Sequence, residues 1–266
     1  MNKKMKKYTF ILPIHKLTDE YVGMLINGLK SIEDFHNDII LLIVSPKEIK
    51  TLLMDFDFGQ KLEVKLVENE TNDFEFINQV NIGIDNCETE WFTIMEIDDE
   101  FFKTWLKTMD NYISENQDVD VFLPIVKDVN QNGEFVSFTN ESVWAYGFSE
   151  KQGYLDSEVL IEYQNYQTSG GLFRTSFIKD IGKLKDNIKL TFMYEFLLRI
   201  LHNSGKIFTV PKIGYQHVNF REDSLFWSYK NDDEMKLSES EIKFWVDTAK
   251  KEYFFKNKRD VEYVKP

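Results

Sequence analysis

The stretch EWFTIMEIDDEFF, residues 90–102, places Glu96, Asp98, Asp99 and Glu100 within five positions. Carboxylates this close repel one another and resist ionisation unless something positive sits among them. The six mostly apolar residues from Trp91 to Glu96 read as a buried strand, so the acids stand at its carboxyl end. In open α/β sheets, ligands collect outside the carboxyl ends of the strands. Hard cations such as Mg²⁺ and Mn²⁺ prefer oxygen ligands, commonly one or two carboxylates together with substrate phosphates. A metal-bound diphosphate would suit this cluster. Two other chemistries stay open. Asp98 and Asp99 could cap a helix beginning near Phe101, where the helix dipole favours negative charge. A phosphatase of the strand-end Asp-x-Asp type is the third, though it would want an Asp where Glu96 stands and a place on the first strand.

The elements around the acids form an alternating series. Residues 8–14 (YTFILPI) are a short β-rich run bounded by a proline, and 38–46 (DIILLIVSP) are continuously apolar. Such runs suit strands covered on both faces, as in parallel sheets. Residues 61–69 (KLEVKLVEN) alternate like a strand. Between these strands lie helical patterns at 17–35, 47–57 and 74–87, the first with Tyr21, Met24, Leu25, Leu29 and Ile32 at helical spacing and Thr18 as N-cap. The order through residue 96 is β-α-β-α-β-α-β, which implies a parallel sheet with helices on both faces.

Beyond the acids, 101–114 read as a helix and 118–126 as a strand. Residues 130–169 are irregular, with the look of an inserted hairpin and loop. Helices at 176–184 and 190–205 follow, the latter stopped by Gly205, then a last strand at 206–218. The charged tail from about Asp232 reads as a peripheral helix. We expect one domain over 1–230, with 231–266 as its C-terminal helical tail.

With 266 residues, 42% of them hydrophobic, the chain can build a sizeable core. Sparse Gly and Pro argue against disorder. The net charge of −13 disfavours broad binding to nucleic-acid backbone. Cys87, the single cysteine, cannot form an internal disulfide, and a reducing compartment fits. The basic start MNKKMKKYTF is followed by an apolar run too short for a signal peptide, and no segment approaches the roughly 18 apolar residues of a membrane span. A cytoplasmic protein is expected.

Four blocks, in order, carry a resemblance. FILPIHK is similar to the first strand of family-2-type glycosyltransferases of the GT-A fold, including those encoded by large tailed phages. NQVNIGIDNCETEWFTIMEIDDEF resembles their helix leading into a strand that ends in Asp-x-Asp-Asp. SGGLFRTSFIKDIGKLKD resembles their Gly-Gly-x-x-Phe-Arg segment, and GKIFTVPKIGYQHVNFREDSL resembles the strand that returns to the active site. The likeness covers roughly residues 7–225. It implies an α/β GT-A fold, a mostly parallel central sheet with helices on both faces.

It also implies an activity: transfer of a sugar from a nucleoside-diphosphate donor to a hydroxyl of a carbohydrate or other acceptor, with Mn²⁺ or Mg²⁺. By the resemblance Asp98, Asp99 and His217 are metal ligands, while Glu96 touches ribose or the metal shell. Donor-binding positions are Pro13, His15, Ser45, Glu68, Gln79, Asn81, Glu96, Asp98, Gly170, Gly171 and Arg221. His15 stands where an aromatic is usual and Ser45 where an Asp reads the nucleobase, and Gln79 and Asn81 match an Arg-Asn neighbourhood whose basic residue is absent here. Arg221 lies in HVNFREDSLFW, a polar segment suited to closing over donor.

An inverting transferase needs a carboxylate base. The family's Glu-Asp pair aligns with Phe192 and Met193, leaving Glu195 on the same helix, or Asp186 in the preceding loop, as catalytic base. Glu195 could equally pair with Arg199 at i+4. Trp144, Tyr146, Tyr163 and Tyr166 are candidates for stacking on an acceptor sugar, with core packing as the alternative. The competing function is a non-catalytic carbohydrate- or nucleotide-sugar-binding protein that keeps the fold.

Overall fold

The computed structural model describes residues 6–71, 75–219, 221, 224–231, 236–251 and 253. The first half alternates as its sequence pattern predicts: β1 (Tyr8–Pro13), α1 (Asp19–Ile32), β2 (Ile39–Ser45), α2 (Lys47–Met54), β3 (Glu63–Glu68), α3 (Phe76–Asp85) and β4 (Trp91–Ile94). A two-residue strand, β5 (Glu100–Phe101), then precedes α4 (Trp105–Glu115) and the long β6 (Val121–Val129). The irregular region holds β7 (Phe135–Thr139), β8 (Tyr154–Leu155) and α5 (Ser157–Glu162). The chain continues through β9 (Leu172–Arg174), α6 (Thr175–Ile181), α7 (Phe192–His202), β10 (Ile207–Val218), α8 (Leu225–Asn231) and α9 (Glu239–Lys251).

Among the described residues the strands form one sheet, in the order β3-β2-β1-β4-β9-β6-β10-β5, with β7 beside β6 and β8 beside β10. β3, β2, β1 and β4 run parallel, so their carboxyl ends share one edge. β9 runs antiparallel between β4 and β6, and β10 returns parallel to β6. The sheet is therefore mixed, with β3, β2, β1 and β4 as its parallel half.

Alternate residues of a strand face opposite sides, and β1 divides its side chains accordingly. Tyr8, Phe10 and Leu12 join one buried cluster with Tyr21, Leu25 and Leu29 of α1 and Trp105 and Met109 of α4. Ile11 joins the other, with Ile77, Val80 and Ile84 of α3 and Phe192 and Phe196 of α7. Each such aliphatic or aromatic side chain, fully buried, contributes about 1.5–3 kcal/mol. The tail helix is less peripheral than its charge suggests: Ala249 is buried, and Trp245 and Val246 pack against the α3/α7 cluster.

Two glycines let β9 approach the sheet centre. Gly170 has φ of +75°, and a Cβ there would lie 2.3 Å from the Tyr215 ring. At Gly171 it would lie 2.8 Å from Leu123 and from the Thr168 carbonyl. The Gly170 amide donates to Ile94 O at 2.8 Å, and Trp105 Nε1 donates to Gly170 O at 2.9 Å. These bonds tie the loop before β9 to the end of β4. That loop reaches the acids.

Candidate active site

The acids occupy a turn rather than a helix start. Asp99 N donates to Glu96 O at 3.3 Å, β5 follows at once, and α4 begins only at Trp105 with Thr104 as its N-cap. Asp98 and Asp99 therefore cap nothing, and the helix expected from 101 begins four residues later. The turn is fixed from below by α1, where a Cβ on Gly28 would lie 2.6 Å from Met95 Cε and 3.3 Å from Asp99 O. Ser31 Oγ, on the same helix, accepts from Phe101 N at 3.1 Å.

β10 completes the site. Its antiparallel pairing with β5 sets Tyr215 opposite Phe101 and Gln216 opposite Glu100. One step further along, His217 Nδ1 sits 3.0 Å from Asp99 Oδ2, and Val218 N donates to Asp99 Oδ1 at 2.9 Å. The buried Tyr215 hydroxyl accepts from Glu96 N at 3.0 Å, and Ser169 Oγ donates to Glu96 Oε1 at 2.7 Å. Arg221, three residues past β10, brings Nη1 to 3.0 Å from Asp98 Oδ2.

The charges explain the arrangement. Burial is the main force raising the carboxyl pKa values of Glu96, Asp98 and Asp99, with neighbouring acids adding to each. His217 and Arg221 oppose it. Burial also works against a charged imidazole, but Asp99, with Glu96 and Asp98 behind it, outweighs that and pushes His217 up to about 10. Among the described residues, three crowded acids thus face two cationic side chains, both from the end of β10 and the residues after it.

Glu96, Asp99 and His217 each present a ligand atom within 4.8 Å of the others. Two carboxylates and an imidazole suit Mn²⁺ or Mg²⁺, with the nitrogen favouring the softer ion. Asp98 is not in this group; it is engaged by Arg221.

The other candidate positions divide. Pro13 closes β1, and Ser45 lies buried at the end of β2 with its carbonyl accepting from Asn69 N at 2.8 Å. His15 is exposed, with its ring edge-on to Tyr21 at 6.2 Å. Glu68 pairs with Lys50 at 3.3 Å. All four stand at the carboxyl edge shared with Glu96.

Gln79 is wholly buried in α3. Asn81 is engaged within the fold: its Nδ2 donates to Leu184 O at 2.8 Å and its Oδ1 accepts from Leu184 N at 3.0 Å. It pins the loop before α7.

Glu195 takes the i+4 alternative. It is fully buried, and Arg199 grips both its oxygens, at 3.0 and 3.1 Å. Lys185 Nζ lies 3.3 Å away, and Tyr253 donates its hydroxyl to the same carboxylate. Arg199 also donates to the carbonyls of Ile181, Gly182 and Lys183, fastening the loop to the helix. Asp186, in that loop, is exposed.

Among the aromatics, Trp144 Nε1 donates to Thr209 O at 2.9 Å, Tyr166 is buried, and Tyr163 packs edge-on against it. Only Tyr146 of the four is fully exposed.

Three functional neighbours escaped the sequence reading. Tyr215 lies two residues before His217 on one strand and so faces the same side, a period-two signal that was available. Ser169 immediately precedes the glycine pair. Tyr21, read as apolar helix face, supports Arg221 with its hydroxyl at 3.2 Å from Nη2 and its ring 5.0 Å from the guanidinium. The segment expected to close over the site falls partly on residues 220, 222 and 223, outside the described residues. Its later part forms α8.

Folding raises the His217 pKa from 6.5 to about 10, so charged His217 stabilises the fold fully below pH 6.5. That stabilisation drains away as pH rises through about 10. The stability difference between the protein and His217→Gln, from urea unfolding at a series of pH values, should be largest near pH 6 and shrink steadily to pH 10. A difference that grows with pH would show that His217 is buried neutral.

Comparison with known proteins assigns the fold and the family. The family model for glycosyl transferase family 2 matches residues 37–182, more than half of the chain. A search of curated proteins finds no match. Among solved structures, residues 1–349 of S. aureus TarS in complex with UDP-GlcNAc superpose with a TM-score of 0.68 at 20% identity, covering 94% of this chain and 68% of that one. The same TarS fragment with UDP gives a TM-score of 0.62 at 21% identity over 91% of this chain and 70% of that one. TarS itself gives 0.61 at 20% identity, over 97% of this chain and 45% of that one. At such identities the likeness is one of fold, and it is the GT-A fold. By its family match, the chain is a glycosyltransferase and belongs to glycosyl transferase family 2.

Proposed function

We propose that this glycosyltransferase is metal-dependent, takes a nucleoside-diphosphate sugar as donor, and transfers the sugar to an acceptor hydroxyl. The observation that carries the reading is the convergence of Glu96, Asp99 and His217 within 4.8 Å at the carboxyl end of β4. UDP-GlcNAc is what the TarS fragment holds on this fold, so uridine diphosphate is the first nucleotide to test here.

Glu96, Asp99 and His217 would hold Mn²⁺ or Mg²⁺. A cation there neutralises charge on the departing nucleoside diphosphate. His217 must give up its proton to serve as a ligand, so cation binding should release protons and strengthen with pH. Ser169 and Tyr215 fix the Glu96 carboxylate and main chain, which preorganises the site. Pro13, His15, Ser45 and Glu68 line the same edge and form the donor's nucleoside side in this reading. Gly170 and Gly171 hold Ser169 in place rather than meeting donor themselves. Residues 1–230 form the catalytic domain, and the tail, through α9 and Tyr253, braces α7.

A base must offer a lone pair to the acceptor hydroxyl. Glu195 has both oxygens committed, so in this reading it is structural and the base role passes to Asp186. Glu195→Gln leaves Arg199 buried against a neutral partner and should cost about 3 kcal/mol of stability, with UDP binding unchanged. Asp186→Asn should leave stability unchanged while transfer falls about 10²-fold. A stable Glu195→Gln protein that has lost transfer would return the role to Glu195.

The donor reading is tested by thermal melting. Mn²⁺ and UDP together should raise the melting temperature more than either alone, because binding to the native state stabilises it by mass action. Asp99→Asn should remove the Mn²⁺-dependent part. An identical response in the variant would place metal and nucleotide elsewhere.

A further inference from the structure

Arg221 reaches the acids from outside the sheet. The chain is anchored just before it, where Asn219 N donates to Val129 O at 2.7 Å, and just after it, where Ser224 N donates to Arg221 O at 3.0 Å. Between these points the side chain turns in over α1. Its Nη1 lies 3.0 Å from Asp98 Oδ2 and 3.5 Å from Met24 Sδ, and its Nη2 lies 3.2 Å from the Tyr21 hydroxyl. The guanidinium stands 5.0 Å over the Tyr21 ring. Only 10% of the Arg221 side chain and 9% of the Asp98 side chain are exposed.

This ion pair separates Asp98 from its neighbours. Glu96, Asp99 and His217 converge, whereas Asp98, between them in sequence, is turned to Arg221. A nearly buried guanidinium and a divalent cation compete for Asp98, because a carboxylate held by one in a site that excludes water is withheld from the other. Tyr21 is itself buried and belongs to the rigid α1, so it offers Arg221 a fixed seat that does not depend on Asp98. A cation over an aromatic face, with a hydroxyl to receive one N–H, is favourable without any carboxylate.

We propose that Arg221 is an internal counter-ion which a divalent cation must displace from Asp98, and that Tyr21 is the positioning residue that keeps the guanidinium beside the site before and after displacement. Once Asp98 is released, it joins the carboxylates facing the cation. Arg221, still seated on Tyr21, is then the nearby cation for the donor's diphosphate, a bidentate acceptor that guanidinium matches well. The site so stays closed to free metal and opens to metal with nucleotide. This inference rests on the cation and donor reading above.

Two effects of opposite sign follow. Without Arg221, metal alone binds more tightly; with metal present, nucleoside diphosphate binds more weakly. A residue that merely stabilised the loop would weaken both.

Free Mn²⁺ measured by electron paramagnetic resonance, on the full chain without nucleotide, should show Arg221→Met binding Mn²⁺ at least about tenfold more tightly than the unmodified protein. Arg221→Gln serves if that variant does not fold. Tyr21→Phe, which keeps the ring and loses the hydroxyl, should move in the same direction by about threefold. With Mn²⁺ saturating, UDP affinity should fall about tenfold in Arg221→Met and less in Tyr21→Phe. The Tyr21→Phe/Arg221→Met pair should match Arg221→Met alone. Asp98→Asn should cancel the gain, so that Asp98→Asn/Arg221→Met binds Mn²⁺ like Asp98→Asn.

Unchanged or weaker Mn²⁺ binding in Arg221→Met overturns the counter-ion. A gain that persists in the Asp98→Asn background does so too, since simple repulsion would then explain it. Effects of Tyr21→Phe that add fully to Arg221→Met overturn the positioning role. No Mn²⁺ binding in either the unmodified protein or Arg221→Met would instead remove the cation site itself, and the counter-ion with it.

Discussion

Three acids cannot remain ionised in a buried turn without cations beside them. That constraint organises the site and much of the fold around it. Glu96, Asp98 and Asp99 are carried out of the core by β4, and the chain returns its answering charges from one place, the end of β10. His217 comes from the strand itself and Arg221 from the residues just beyond. For this to work β10 must be long, must run parallel to β6 so that it ends at the same edge, and must be held in register. The two-residue β5 does the last of these, pairing with Tyr215 and Gln216 immediately before His217. A slip of one residue would point His217 to the opposite face.

The same constraint explains the crowding around the turn. Tyr215 fills the space beneath Gly170 and accepts from the Glu96 amide, while Gly28 lets α1 come close to Met95 and Asp99. A side chain at either glycine would move the acids relative to their cations. The second ionic cluster obeys the same rule away from the acids of β4. Glu195 is buried only because Arg199, Lys185 and Tyr253 surround it, and Arg199 spends its remaining donors on the carbonyls of the loop before α7. One ion network serves the site, and the other holds the helix whose N-terminus carries Phe192 and Met193. A buried pair of the second kind specifies an arrangement more than it adds stability.

Much of the first half was legible because its signals are local. The apolar runs at β1 and β2 and the helical spacing of Tyr21, Leu25 and Leu29 each report burial directly, and their alternation leads to a parallel sheet. The density of the acids left a metal site and a helix cap both open, and block order tied them to a family. What stayed hidden depends on distant partners. That Asn81 bonds Leu184, far along the chain, through both ends of its amide is one such feature. Glu195 could be read as base or as ion-pair partner, and the ion pair with its further contacts to Lys185 and Tyr253 depends on packing that sequence does not report. A two-residue strand such as β5 has no periodicity to read, and the helix after it was placed four residues early for that reason. The C-terminal tail looked peripheral because charge dominates its composition, although Trp245, Val246 and Ala249 form an apolar face against the core.

The central claim is that the end of β10 brings its cations to the acids of β4, and that a metal ion binds among these groups. A crystal of the protein soaked with Mn²⁺ and UDP, with data collected on either side of the manganese absorption edge, tests it most directly. The account predicts one strong anomalous peak bonded by Glu96, Asp99 and His217, with Arg221 turned from Asp98 towards the diphosphate. Nucleotide bound at the carboxyl edge with no peak among those residues, or a peak bonded elsewhere while the His217–Asp99 and Arg221–Asp98 pairs stay intact, would contradict it.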